Sequence, residues 1–118
     1  MTVRFISTKT HGLLDYVSVA TLVTLPRALR WGPRVTRLLS AAAAGTLLYS
    51  LLTRYELGVK KILPMPAHLL LDAASGALLC SAPALLPDED GSVSAALVGL
   101  GAFEIVGAMT TKTESIPS

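Results

Sequence analysis

The chain has 118 residues, 52% of them hydrophobic and only 15% charged, with a net charge of +2 and a single cysteine. Water-soluble domains carry roughly a quarter charged residues, so this composition, with a mean hydropathy of +0.59, predicts a chain that faces lipid. The lack of a long basic run excludes nucleic acid as an indicated partner, and one thiol excludes an internal disulfide framework.

A helix crosses a hydrocarbon core of ~30 Å with ~20 mostly apolar residues. Helix 1, expected at about 10–29, meets that length with His11 and Asp15 near its start. Its amino end lacks the compact basic and apolar regions of a cleaved signal peptide, and Asp15 interrupts the segment. Gly32-Pro33 punctuates a turn. Helix 2, about 35–54, has no charged residue from Leu38 to Thr53. A helix packed in a water-facing bundle would show a polar stripe every three or four residues; here the polar groups are hydroxyls, which can bond back to their own helix. Gly58 reads as its C-cap. Helix 3, about 66–86, has Pro66 in its first turn, where a missing N–H costs nothing. From Ile62 to Pro87 the only ionisable side chains are His68, Asp72 and Cys80, the cysteine reading as a small buried hydrophobe. The polar stretch from Pro87 to Gly91 closes a second hairpin, and helix 4, about 92–111, carries Glu104 alone.

The chain also repeats itself. A shift of about 57 residues places His11 on His68, Leu13-Leu14-Asp15 on Leu70-Leu71-Asp72, Leu22 on Leu79 and Pro26 on Pro83. Ala42, Ala44 and Gly45 then fall on Gly99, Gly101 and Ala102, and one residue further on Thr53-Arg54-Tyr55-Glu56 meets Thr111-Lys112-Thr113-Glu114. The expected fold is therefore all-α, an integral membrane four-helix bundle. It forms a single domain of two tandem parallel hairpin repeats, about 1–58 and 59–118. Gly45, Gly99 and Gly101 mark helices 2 and 4 as packing surfaces, where small residues let backbones approach, within the bundle or against a partner chain. The side holding both termini carries Arg4, Lys9, Arg54, Lys60, Lys61 and Lys112, against Arg27, Arg30, Arg34 and Arg37 opposite. The positive-inside rule then places the termini in the cytoplasm.

Chemistry concentrates in one layer. The pattern His-x-Leu-Leu-Asp occurs at His11–Asp15 and His68–Asp72, and a spacing of four puts both groups on one helix face. Parallel repeats bring all four to similar depth, beside Arg54, Glu56, Lys112 and Glu114. Several readings are open. Each His bonds its own Asp, or the aspartates bond Arg54 and Lys112, and the layer locks the helix ends. Alternatively it serves a charged ligand, a proton relay, or a metal or haem, His with carboxylate being fair zinc or iron chemistry. Glu104 is an intramembrane carboxylate, a functional-site candidate by default; its nearest equivalent in helix 2 is Leu47, and Ser50 or Tyr49 is its expected hydroxyl neighbour. Phe5, Trp31 and Tyr55 suit headgroup level. No nucleophile with its base, phosphate loop or dinucleotide fingerprint is present, so no enzyme is expected, and the residues leave the cofactor open.

The paired HGLLDY and HLLLDA starts, a proline ending each odd helix, and LLTRYELG before PMPAH resemble the small bacterial four-helix membrane proteins of the SPW-repeat type. Thr24-Leu25-Pro26 and Ser81-Ala82-Pro83 hold the places of that family's Ser-Pro-Trp, without the Trp. The resemblance implies the architecture and a bacterial inner membrane, and carries no activity. The leading expectation is a non-enzymatic accessory subunit that packs, with other subunits or itself, into a membrane complex. The alternative is a small binding or transport protein using the His–Asp layer.

Overall fold

The computed structural model describes residues 4–113, which form four helices and no strand. Glu114 lies outside the described residues. The helices are α1 (Thr8–Ala28), α2 (Pro33–Leu51), α3 (Met65–Leu85) and α4 (Gly91–Thr110).

Local chemistry sets their ends. α1 begins two residues before the expected Thr10 because the Ser7 side chain caps it, accepting from the Thr10 amide at 3.1 Å. Pro33 opens α2 and Pro66 sits in the first turn of α3. Asp90 caps α4 through the Val93 amide at 3.0 Å. The Ser92 hydroxyl and that amide hold the Asp90 carboxyl below its usual range, so the cap persists above that range and weakens only as acid protonates it. The prolines do not end the odd helices: α1 runs two residues past Pro26 and α3 two past Pro83. α1 closes instead with Trp31 N–H on the Pro26 carbonyl at 2.8 Å and Arg30 N–H on that of Arg27 at 3.3 Å. Arg30 takes the left-handed backbone, φ 56°, that such a cap normally gives to glycine.

α2 stops at Leu51, short of the expected 54, because the chain folds back on itself. The Leu52 carbonyl accepts from Leu63 at 2.7 Å and Ile62 at 3.0 Å, and Arg54 N–H donates to Leu63 at 2.8 Å. Gly58 is thus not the cap of α2, which is Leu52. Its role is close approach, since a Cβ there would stand 2.0 Å from the Thr53 carbonyl oxygen. At the other seam Ile6 pairs with Thr111, which sets the two ends of the described chain side by side.

α1 packs on α2 and α3 on α4, the second contact being the more extensive. Gly76 and Gly101 explain the difference: a Cβ on Gly101 would meet the Gly76 carbonyl oxygen at 2.5 Å and the Cys80 sulfur at 2.7 Å. Cys80, only half-buried, fills that contact. Gly45 and Gly99 have open space around a would-be Cβ, so of the three expected packing glycines only Gly101 serves a helix contact within the chain. The two hairpins share one core, in which Leu22, Val35 and Leu39 meet Leu79, Val93 and Leu97.

The burial pattern repeats between hairpins. In the odd helices Thr8, His11, Asp15 and Leu22 match Met65, His68, Asp72 and Leu79, a shift of 57. In the even helices Val35, Leu39, Ala43, Ser50 and Thr53 match Val93, Leu97, Gly101, Ala108 and Thr111, a shift of 58. Glu104 therefore corresponds to Thr46 and not to Leu47.

α3 and α4, 21 and 20 residues long, are apolar enough to cross a membrane. α1 and α2 fall short of that composition. α1 carries Lys9, His11, Asp15 and Arg27, and the first turns of α2 hold Arg34 and Arg37, leaving Leu38–Leu51 as its uncharged part.

Two substitutions test this packing. Gly101→Ala should destabilise by about 1–3 kcal/mol through overpacking, while Gly45→Ala should stabilise by about 0.5–1 kcal/mol. Equal unfolding midpoints would contradict the close α3–α4 approach. Arg30→Gly should raise the midpoint, since the left-handed backbone costs a non-glycine residue about 1–2 kcal/mol.

Candidate functional site

His11 and Asp15 project from the first two turns of α1, His68 and Asp72 from the same turns of α3, and all four are buried, His68 completely. They converge with cross-pairing. His11 Nε2 lies 2.7 Å from Asp72 Oδ2 and 3.2 Å from Asp15 Oδ1. His68 Nε2 lies 2.9 Å from Asp15 Oδ2 and 3.2 Å from Asp72 Oδ2. Each imidazole is thus nearer the carboxylate of the other hairpin than its own. The rings meet edge to face with centroids 5.3 Å apart.

The far side of each imidazole is fixed by a threonine from the other hairpin. His11 Nδ1 lies 2.6 Å from Thr111 Oγ1 and His68 Nδ1 2.7 Å from Thr53 Oγ1. Each hydroxyl spends its one proton on a carbonyl a turn back, Thr111 on Gly107 and Thr53 on Tyr49, both at 2.6 Å. A hydroxyl so committed can only accept from the ring. Both histidines therefore carry a proton on Nδ1 and turn Nε2 to the carboxylates, where His11 Nε2 donates to Asp72 Oδ2. Thr53 and Thr111 are related by the same shift of 58 that relates α2 to α4.

The carboxylates are held from outside as well. Tyr49 donates its hydroxyl to Asp72 Oδ1 at 2.5 Å, and Tyr55 donates to Asp15 Oδ2 at 2.7 Å. Tyr55 is not the interfacial anchor expected of it: it is 1% exposed, folded inward by the loop after α2. Burial and the Asp15 charge push its phenol above the usual range, which keeps it a donor. At the shift of 58, Tyr49 corresponds to Gly107. Tyr49 packs its ring on His68 at 4.8 Å, whereas a Cβ on Gly107 would first meet His11 at 3.9 Å.

That difference leaves the centre open on one side. A cleft of about 100 Å³ between α1 and α4 is lined by His11, Asp15 and Asp72 together with Thr46, Glu104 and Gly107. It adjoins an apolar crevice between Leu14, Val17 and Leu22 of α1 and Leu100 and Phe103 of α4. Glu104 shares both spaces, and its Oε2 is buried without a hydrogen-bond partner. The hydroxyl beside its carboxyl is that of Ser75, not Ser50 or Tyr49.

The structure thus unites His11, Asp15, His68 and Asp72 and places Glu104 at the edge of their cleft. Arg54, Glu56 and Lys112 are exposed, outside the centre. The aspartates turn to imidazole and phenol in place of Arg54 and Lys112, and Glu56 accepts from the Thr8 hydroxyl at 2.7 Å. The sequence gives no sign that Thr53, Thr111, Tyr49 and Tyr55 belong to this centre. The two threonines stood in register in the repeat; neither tyrosine has an aromatic counterpart to signal it. The chain matches no family model, no curated protein and no solved structure.

Thr53→Val and Thr111→Val each leave a buried ring N–H without its acceptor, and should each destabilise by about 1–3 kcal/mol. Thr24 makes the same backward bond, to Ala20 at 2.7 Å, on an exposed face, so Thr24→Val should change little. Unfolding midpoints of the three variants check this, and three equal midpoints would contradict the assigned Nδ1–H bonds.

Proposed function

We propose that this chain is a multi-pass protein of the bacterial cytoplasmic membrane that binds a small cation at the His11–Asp15–His68–Asp72 centre without catalysing a reaction. One observation carries the binding reading. The four residues can present one ligand atom each, all within 4.8 Å of one another, while Thr53 and Thr111 hold the far nitrogen of each imidazole and Tyr49 and Tyr55 bond the carboxylates. Side chains braced to converge on one point in a buried site are suited to hold something there.

The outward faces support the membrane. Within α3 and α4 only 33% and 22% of the apolar windows are buried, so neither is the covered core helix of a water-facing bundle. Leu13, Val17, Leu48, Leu70, Leu85, Phe103, Val106 and Met109 are among the exposed side chains. In water this would be an apolar surface of a kind monomeric proteins avoid; in lipid it is solvated. The matched burial and the exchanged contacts support four spans built as two parallel hairpins by tandem duplication. Lys and Arg excess supports termini in the cytoplasm. The non-enzymatic reading rests on Thr53 and Thr111: the hydroxyls beside the imidazoles have no proton to give them, so neither is an activated nucleophile.

A second reading, an accessory subunit of a larger membrane complex, is favoured by the exposed small residues Ala41, Ala44 and Gly45 of α2 and Ala95 and Gly99 of α4. Such faces are where partner helices dock in lipid.

The test is purification of the full chain from membranes in mild detergent, then thermal unfolding with Na⁺, K⁺, Mg²⁺, Ca²⁺, Mn²⁺ or Zn²⁺. The protein should resist alkaline carbonate extraction. One class of cation should stabilise it, by about 2.7 kcal/mol at a hundredfold excess over Kd, and His11→Asn with His68→Asn should remove that effect while helicity remains. A cation-independent midpoint sinks the binding reading, and a lone monomeric particle sinks the subunit reading.

A further inference from the structure

We infer that the cation this centre takes is a divalent transition metal of the zinc class, bound by His11 Nε2, His68 Nε2 and one oxygen each of Asp15 and Asp72. The inference rests on the cation-binding reading above and narrows it. Three observations carry it.

The first is the tautomer. With one proton of each ring committed through Nδ1 to Thr111 and Thr53, Nε2 is the nitrogen that can offer a metal its lone pair. His68 Nε2 has no hydrogen bond to give up, and His11 Nε2 releases to solvent the proton it donates to Asp72 as the ion binds. The threonines then act as the outer partners that orient metal-bound imidazoles. The second is an orphaned atom. His68 Nε2 is fully buried and makes no hydrogen bond, although carboxylate oxygens stand at 2.9 and 3.2 Å. Those oxygens lie off the axis along which a ring N–H would donate. Coordination produces that arrangement, because the metal occupies the axis and the other ligands sit at an angle to it. Tetrahedral zinc with bonds of about 2.0–2.1 Å separates its ligands by about 3.3 Å. The closest nitrogen-to-oxygen separations here run from 2.7 to 3.2 Å, and the four ligand atoms all lie within 4.8 Å of one another. The short edges therefore widen by a few tenths of an ångström and the longest close up as the ion enters. His11 Nε2, the one nitrogen in line with an oxygen, gives up that bond as the ion enters.

The third observation is charge and donor type. Two carboxylates and two imidazoles in the neutral form that binds metal sum to −2, which a divalent ion cancels at a buried site. Calcium and magnesium prefer all-oxygen shells, whereas mixed imidazole and carboxylate donors suit zinc, iron or manganese. The α1–α4 cleft reaches His11, Asp15 and Asp72, and Glu104 on its wall supplies a carboxylate along the way in.

The experiment is metal titration of the full chain in mild detergent, with Zn²⁺ alone and with Co²⁺ as a coloured probe. The expected result is one ion per chain, a Co²⁺ visible spectrum of tetrahedral nitrogen–oxygen type, and its displacement by Zn²⁺. Thr53→Val or Thr111→Val, which touch no metal, should weaken Zn²⁺ binding about 10–100-fold. His11→Asn with His68→Asn should abolish it. Binding of Mg²⁺ or Ca²⁺ as tight as Zn²⁺, still dependent on both histidines, would overturn the metal assignment and leave the cation reading standing. Binding of no cation by the wild-type chain would overturn both. The Co²⁺ spectrum is read on the wild-type chain, so the test survives a variant that fails to fold.

Discussion

An ionisable group taken out of water is tolerable only against a partner that replaces the water, and half a pair is worse than none. Four such groups are buried together here, and the rest of the molecule is arranged around satisfying them. The solution is exchange. His11 goes to Asp72 and Thr111, and His68 goes to Asp15 and Thr53, so each hairpin completes the other. A single hairpin would leave its imidazole without its threonine and its carboxylate without its closest nitrogen. The polar centre therefore couples the two halves more specifically than the shared leucines do, since apolar contacts tolerate sliding. Both seams follow from it: Ile6 must pair with Thr111 and Leu63 with Thr53 for the threonine hydroxyls to reach across.

Helix packing sets what remains open. Gly76 and Gly101 draw α3 and α4 together at one point, while the matching positions, Val19 and Ala43, keep α1 and α2 at ordinary distance. The first hairpin thus has room for Tyr49 and for the inward loop that carries Tyr55. The two phenols brace the aspartates from the side of α2, and nothing equivalent comes from α4. Its residues facing the centre are Gly107, too small to fill the space, and Glu104, which brings a carboxyl group.

Much of this was legible in the residues. Sparse charge and its spacing gave four helices near their observed bounds, and the recurrence of His-x-Leu-Leu-Asp located the four centre residues. The threonines were visible in register but carried no meaning until the rings turned toward them. Register in the even helices was read one residue short over the small residues, pairing Gly101 with Ala44, because alanine and glycine match at any offset. The physical reason is in the turns: Leu29–Gly32 joins α1 to α2 in four residues, and Leu86–Asp90 joins α3 to α4 in five. The glycines of α2 and α4 were read as packing surfaces on composition, which cannot say which side of a helix meets a neighbour. Tyr55 was misplaced because an aromatic beside a helix end is usually interfacial, and only the backbone return from Thr53 to Leu63 turns it inward.

A pseudo-symmetric frame with one asymmetric wall has a consequence for what the centre can do. Perfect symmetry would seal it: a second tyrosine at Gly107 would pack on His11 as Tyr49 packs on His68, and the four residues would form a closed lock. Replacing that ring by hydrogen, and the Thr46 hydroxyl by the Glu104 carboxyl, opens one face and lines the opening with an acid. A lock has no use for an opening, and leaving Glu104 Oε2 buried and unpartnered costs stability. A site that exchanges a cation needs both a way in and a charge to draw it. The two departures from symmetry fall on the same wall of the same cleft, where together they support the proposal of a centre that exchanges a cation over one that only holds the helices.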